Sequence, residues 1–140
     1  MIKFDHFNLF KFAIEYFGNI KNLLLFTSKT GNIKYFKFLY HRYNDNKDNK
    51  DWKDGNDIWF DLFINAVSFN NFEIFDFLYN KINYTISEIH TIIFRSIECN
   101  NIKILKYLYE KELKYIDIDL IEFANETTCD NEIQVFLNSN

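Results

Sequence analysis

One ten-residue pattern occurs three times in the sequence and constrains the fold more than any other feature. It occupies residues 31–40, 70–79 and 100–109, and the last copy reads Asn-Asn-Ile-Lys-Ile-Leu-Lys-Tyr-Leu-Tyr. Each copy runs in the order small polar, apolar, charged, apolar, apolar, charged, apolar. A pattern that returns after roughly 30 to 40 residues is typical of a repeat array, in which each unit packs on its neighbours.

Positions outside the pattern agree between the copies as well. With Ile33, Phe72, Ile102 and Ile133 as markers, the residues thirteen and ten positions upstream are all apolar, which is helical spacing. Each unit is therefore predicted to be a helix, a short turn with Gly or Asn in the left-handed conformation, and a second, antiparallel helix. The residue six positions upstream is small in every copy: Thr27, Ala66, Ser96 and Thr127.

The alignment predicts one all-α domain over residues 1–140, built as a helical-repeat solenoid. The second helices are apolar over an arc too wide for an isolated amphipathic helix, so that each unit requires neighbours. Thr85 and Glu88 have capping-box spacing and should begin the first helix of the third unit. The predicted parts are an N-terminal half repeat at 5–17, with an unrelated capping helix as the alternative, repeats at 20–42, 58–81 and 87–111, a truncated capping repeat at 117–138 and an inserted polar loop at 43–57.

Composition and charge limit the classes of partner. The formal net charge is -4 and the lysines are interleaved with acidic residues, which disfavours nucleic-acid binding. No apolar run has the length of a signal peptide or a membrane span. Cys99 and Cys129 are expected to be free thiols in a reducing compartment. We therefore expect a soluble, cytoplasmic protein that is not secreted and binds neither membranes nor nucleic acid.

Charged residues of the second helices alternate in sign from unit to unit. Two basic residues in the first unit are followed by two acidic residues in the second and two basic residues in the third. If these helices lie side by side in register, the pairs should form ion pairs across the repeats, each worth about 0 to 1 kcal/mol. The six residues are Lys34, Lys37, Glu73, Asp76, Lys103 and Lys106.

The unit resembles the ankyrin repeat, in the divergent Asn-, Ile-, Phe- and Lys-rich form found in large DNA viruses of amoebae. Residues 31–39 are similar to the second-helix signature of that family, in which a Gly-His pair precedes an apolar helix that ends in paired leucines. Where the family has Thr-Pro-Leu-His, residues 22–25, 61–64 and 91–94 contain neither Pro nor His. The resemblance covers residues 20–138 and implies an ankyrin-like solenoid with degenerate or missing β-hairpins.

No catalytic or cofactor-binding motif is found in the sequence. The three glycines, Gly18, Gly31 and Gly55, are too far apart to form a phosphate-binding loop. His6, His41 and His90 have no second ligand at a known metal spacing, and no Ser lies in a nucleophile elbow. We therefore expect a protein without cofactor, metal or enzymatic activity.

The resemblance implies a protein-binding module, which in a viral protein would act on a host or viral protein in the host-cell cytoplasm. Ankyrin proteins bind partners through a concave face, where the residues just before the turn vary. Phe69 is the candidate anchor, because aromatic residues are enriched in binding hot spots, but it could instead pack beneath the long loop. The candidate residues are Lys29, Asn65, Ser68, Phe69, Arg95 and Glu98, with Trp52 in the loop.

The alternative function is a structural or self-associating role. In that case the N-terminal apolar flank would stack on another copy or on a component of a virion, through Phe4, Phe7, Phe10 and Phe12. A monomer is expected rather than a homo-oligomer.

Overall fold

The computed structural model describes residues 6–45, 57–112, 117–127 and 130–139. These residues are almost entirely helical and contain no β-strand, which confirms the predicted all-α class. The described ranges hold nine α-helices: α1 His6–Phe17, α2 Ile20–Thr30, α3 Ile33–Asp45, α4 Asp57–Ser68, α5 Phe72–Tyr79, α6 Ile86–Glu98, α7 Ile102–Glu112, α8 Ile118–Glu126 and α9 Asn131–Ser139.

The helices after α1 pack as pairs, and the pairs pack on one another. Helix α2 contacts α3, and the same contact recurs between α4 and α5, α6 and α7, and α8 and α9. Helices α2, α4, α6 and α8 contact one another in that order and form a first layer. Helices α3, α5 and α7 contact one another in the same way and form a second layer. The core lies between the two layers.

Small residues allow the helices of the first layer to pack closely. Of the four small residues that lie six positions before the markers, three are buried, with exposed fractions of 3% for Thr27 and 0% for Ala66 and Ser96. The hydroxyl of Thr27 donates a hydrogen bond to the carbonyl of Leu24, and that of Ser96 donates to the carbonyl of Ile92. These polar groups are satisfied within their own helices and can therefore face the core at little cost.

The turns after α2, α4 and α6 have the left-handed residue that the sequence predicts. Gly31 has a φ of 80°, and Asn70 and Asn100 have φ values of 57° and 55°. After α4, the backbone N–H of Asn71 donates to the carbonyl of Ala66 at 2.8 Å, which is the 6→1 hydrogen bond of a Schellman motif. The turn after α6 repeats this bond. The predicted capping box is confirmed at the start of α6.

Two boundaries differ from the prediction. Helix α3 continues to Asp45 and α4 begins at Asp57, so residues 43–45 and residue 57 of the predicted loop at 43–57 are helical. Tyr43 is buried and its ring lies 5.5 Å from that of Trp59, a contact that keeps the last turn of α3 on α4. Residues 46–56 of the predicted loop lie outside the described part of the chain.

The marker Ile133 is two residues out of register with the other three markers. Ile33, Phe72 and Ile102 are each the first residue of a helix, whereas α9 begins at Asn131. Ile133 is fully buried, as Ile104 is in α7. The end of α8 differs from those of α2, α4 and α6: Thr127, which follows its last residue Glu126, has an extended backbone with φ -78° and ψ 145° in place of a left-handed Gly or Asn.

The predicted ion pairs between the second helices are not formed. The ion pairs among the described residues join Arg42 to Glu15, Arg95 to Glu98 and Lys106 to Glu132, and none joins two of the six alternating charges. Several of those lysines lie over aromatic rings instead. For example, Lys103 Nζ is 4.2 Å from the centre of the Phe72 ring. An exposed cation–π contact contributes about 0.5 to 1 kcal/mol, which is comparable to an exposed ion pair.

Candidate functional site

The C-terminal ends of α2, α4 and α6 lie next to one another and carry the residues that the sequence singled out. We call this the turn-end surface. The surface is defined by Lys29, Asn65, Ser68, Phe69, Arg95 and Glu98. Of these residues, Lys29, Phe69 and Glu98 are exposed and the other three are half-buried. Trp52, the remaining candidate, lies outside the described residues.

Arg95 connects three of the candidate residues. Its Nε donates a hydrogen bond to Ser68 Oγ at 2.9 Å, across from α6 to α4. Its Nη1 lies 3.1 Å from Glu98 Oε2, one turn further along α6. The guanidinium is thus neutralised and oriented by its own chain. Both contacts are made within the chain, so they restrict the side chain of Arg95 and reduce the entropy that it would lose on binding a partner.

Asn65 makes the equivalent contact one helix earlier. Its amide Nδ2 donates to Ser28 Oγ at 3.0 Å, and Ser28 Oγ donates in turn to the carbonyl of Leu25 at 2.7 Å. Ser28 is fully buried. Asn65 is therefore a link between α4 and α2 as much as a candidate contact residue.

Phe69 is the most prominent apolar residue of the surface. Its side chain is 54% exposed at the end of α4. Lys29 Nζ lies 5.9 Å from the centre of its ring. An aromatic ring that is exposed and flanked by a cation is available to a partner.

The sequence analysis missed Phe26, which extends this surface. Phe26 is 64% exposed and lies three residues before Lys29, so both side chains are on the same side of α2. Together with the cation–π contact, this gives a continuous strip of Phe26, Lys29 and Phe69. The repeat alignment could have identified Phe26, because it occupies the same position as Asn65 and Arg95, seven residues before the marker of its unit.

The role of the second asparagine in the turns after α4 and α6 was also missed. Asn71 Nδ2 donates to the carbonyls of Ser28 and Lys29 at 2.7 and 2.9 Å. Asn101 Nδ2 donates to the carbonyl of Val67 at 3.0 Å. Each asparagine thus caps the C-terminal end of the first-layer helix in the preceding pair. The sequence shows the residue at each turn but contains nothing that identifies its distant acceptor.

A separate polar cluster surrounds the buried Glu112, away from the turn-end surface. The hydroxyl of Tyr79 donates a hydrogen bond to Glu112 Oε1. Burial, followed by this hydrogen bond, raises the pKa of Tyr79 well above its ordinary value, and burial also raises the pKa of Tyr84. These tyrosines remain neutral hydrogen-bond donors at neutral pH and so stabilise the carboxyl of Glu112 within the core.

The described residues hold no group of three or more His, Cys, Asp or Glu side chains arranged to hold a metal ion. Within the same ranges, every helix is too short or too polar to cross a membrane. Cys99 is a half-buried free thiol at the end of α6.

Comparison with protein-family models, with curated proteins and with solved structures finds no match.

Proposed function

We propose that the chain is an ankyrin-like helical-repeat solenoid that binds another protein through the turn-end surface. The observation that carries the proposal is the strip formed by Phe26, Lys29 and Phe69. The strip contains two large aromatic side chains, Phe26 on α2 and Phe69 directly after α4, which are 64% and 54% exposed. Hot spots of protein interfaces are enriched in aromatic and Arg residues that become desolvated on binding.

The arrangement of the helices supports the solenoid part of the proposal. The helix pairs follow one another along the chain. From α2 to α7, each pair contacts the next pair through both the first and the second layer. The contacts of Asn71 and Asn101 recur from one pair to the next, as expected for repeated units. In the viral setting that the sequence resemblance implies, the partner would be a host or viral protein in the host-cell cytoplasm.

The proposal is tested by capture of partners from a lysate of the amoebal host that the resemblance implies. The test variant combines Phe26→Ala with Phe69→Ala. The control is Ile86→Ala, which removes a side chain that is 55% exposed at the opposite end of α6. We expect a partner that wild type and control retain and the double variant loses. Equal retention by all three proteins would refute the proposed surface.

The self-association alternative receives less support from the packing of its residues. Phe7 and Phe10 are half-buried, and their rings stack on Tyr35 of α3 at 5.2 and 4.4 Å between centres. Phe4 and the side chain of Phe12 are outside the described set. Two of the four phenylalanines are thus used within the chain and are less available to a second copy.

A further inference from the structure

The row of first-layer helices changes in charge from one end to the other. Helix α2 contains Lys21 and Lys29, both exposed, and no acidic residue. Helix α8 contains three acidic residues and no Lys, Arg or His. The net charges of α4 and α6 lie between the positive net charge of α2 and the negative net charge of α8. The first-layer row therefore has a basic end at α2 and its most acidic end at α8.

The same difference extends through the helices behind each end. Helices α1 to α3 contain six Lys or Arg residues and two acidic residues. Residues 117–127 and 130–139 contain six acidic residues and no Lys, Arg or His. The local charges at the two ends are therefore reinforced by their surroundings, and the field along the row is larger than single residues would give.

The acidic residues of α8 lie on the same side of the row as the aromatic strip. Leu120 and Ala124 are buried in α8 as Ile89 and Ile93 are in α6, which aligns Glu126 with Arg95. Glu122 is one turn earlier on the same side, and both glutamates are exposed. In the middle of the row, Arg95 is neutralised by Glu98. Asp61 of α4 is also exposed on this side, four residues before Asn65 as Glu122 is before Glu126. The unbalanced charges on this side are thus Lys29 at the α2 end, Asp61 on α4, and Glu122 and Glu126 at the α8 end.

We propose that the partner engages this surface with one extended segment of polarised charge. Acidic residues of the segment lie at Lys29, apolar residues cover Phe26 and Phe69, and basic residues lie at Glu122 and Glu126. This inference rests on the proposed function and deepens it by stating the chemistry of the partner. Adjacent packed helices are about 8 to 10 Å apart, so the row from α2 to α8 spans about 30 Å. An extended chain of about ten residues covers that distance.

Charge complementarity selects this occupant over simpler ones. A uniformly basic segment would be repelled at Lys29, and a uniformly acidic segment would be repelled at Glu122 and Glu126. A second copy of the chain could present its own acidic end to the basic end of the first. That arrangement would form a dimer without any peptide, so sedimentation of the protein alone distinguishes it from the proposed occupant.

The test uses two synthetic peptides of about twelve residues with identical composition. In the block peptide, glutamates at one end are followed by two phenylalanines and then by lysines. In the mixed peptide, glutamates and lysines alternate around the same phenylalanines. Binding to the full chain is measured by fluorescence anisotropy. We expect the block peptide to bind roughly tenfold more tightly, and we expect this advantage to shrink as salt screens the charges.

Charge-reversal variants then locate the bound peptide. Glu122→Lys combined with Glu126→Lys should weaken binding of the block peptide by roughly fivefold or more. Glu110→Lys is the control, since it reverses an exposed acidic residue on α7, in the other layer. Lys29→Glu should weaken binding similarly, with Lys81→Glu as its control. Folding of each variant is checked by circular dichroism.

The inference is overturned if neither peptide binds, if both bind equally, if the controls weaken binding as much as the test variants, or if the protein alone forms a dimer. The proposed function fails separately, when a captured partner is retained after Phe26 and Phe69 are replaced. A partner lost from that double variant, together with peptides that bind equally, would leave the turn-end surface in place and remove only the polarised segment.

Discussion

Asn101 holds the end of one helix and the start of another. Its Nδ2 donates to the carbonyl of Val67 at the end of α4, and its Oδ1 accepts from the backbone N–H of Ile104 in the first turn of α7. Only 4% of the residue is exposed. One side chain thus satisfies two backbone groups that helix ends leave without partners, on two different helix pairs.

Asn101→Ala is expected to lower the free energy of unfolding by about 1 to 3 kcal/mol, because the buried carbonyl of Val67 loses its hydrogen-bond donor and α7 loses its N-terminal cap. Asn32→Ala is the matched control. Asn32 is exposed and caps only Tyr35 N–H, so its loss should cost about 0.5 to 1 kcal/mol. Urea denaturation compares the two variants, and equal destabilisation would argue against the contact with Val67.

Gly31→Ala is expected to destabilise the protein through two effects. A left-handed φ of 80° costs a non-glycine residue about 1 to 2 kcal/mol, and the added Cβ would lie 2.4 Å from Asn71 Oδ1. Asn70→Gly at the next turn is the control and should be neutral or slightly stabilising, since glycine adopts its φ of 57° without that cost. In an Asn71→Ala background the substitution should cost less. Strict additivity in the double variant would exclude the steric effect.

The sequence predicted the helices and turns well because these depend on local chemistry. The spacing of apolar residues predicted the paired helices, and Gly31, Asn70 and Asn100 have the left-handed φ that their residue types allow. Thr85 and Glu88 form their capping box because all of its atoms lie within one helical turn. Such features require no knowledge of which helix lies opposite.

The predictions that failed depended on packing between distant residues. Lys103 lies over Phe72 rather than beside Glu73, a choice between two weak contacts that the charge pattern alone could not decide. The end of α3 was placed too early because residues 43–45 read as polar, although Tyr43 is buried against Trp59. At the candidate site, the residues were identified by position in the repeat, whereas the bonds of Arg95 and Asn65 depend on side-chain geometry across helices.

Phe10→Ala tests how α1 is held on the rest of the chain. The ring of Phe10 lies 4.4 Å from that of Tyr35 and 6.5 Å from that of Phe7. Because Phe10 is half-buried, its loss should cost about 1 to 3 kcal/mol of unfolding free energy. If the N-terminal flank instead served self-association, the variant would change the sedimentation coefficient with little change in stability. Denaturation and sedimentation velocity on the same sample separate these outcomes.

Tyr79 is expected to make stability depend on pH in the alkaline range. Burial, and then the hydrogen bond to Glu112, raises its pKa above the ordinary 10.0, so the folded protein retains a proton that the unfolded chain releases. The contribution is complete below 10.0, and unfolding free energy falls as pH rises above that value. Tyr79→Phe should be less stable at neutral pH by about 1 to 3 kcal/mol, since Glu112 loses a donor, but its stability should fall less steeply at alkaline pH. Urea denaturation across this range, with tyrosinate absorbance recorded in parallel, measures the slope. Identical slopes in both proteins would show that Tyr79 does not retain the proton.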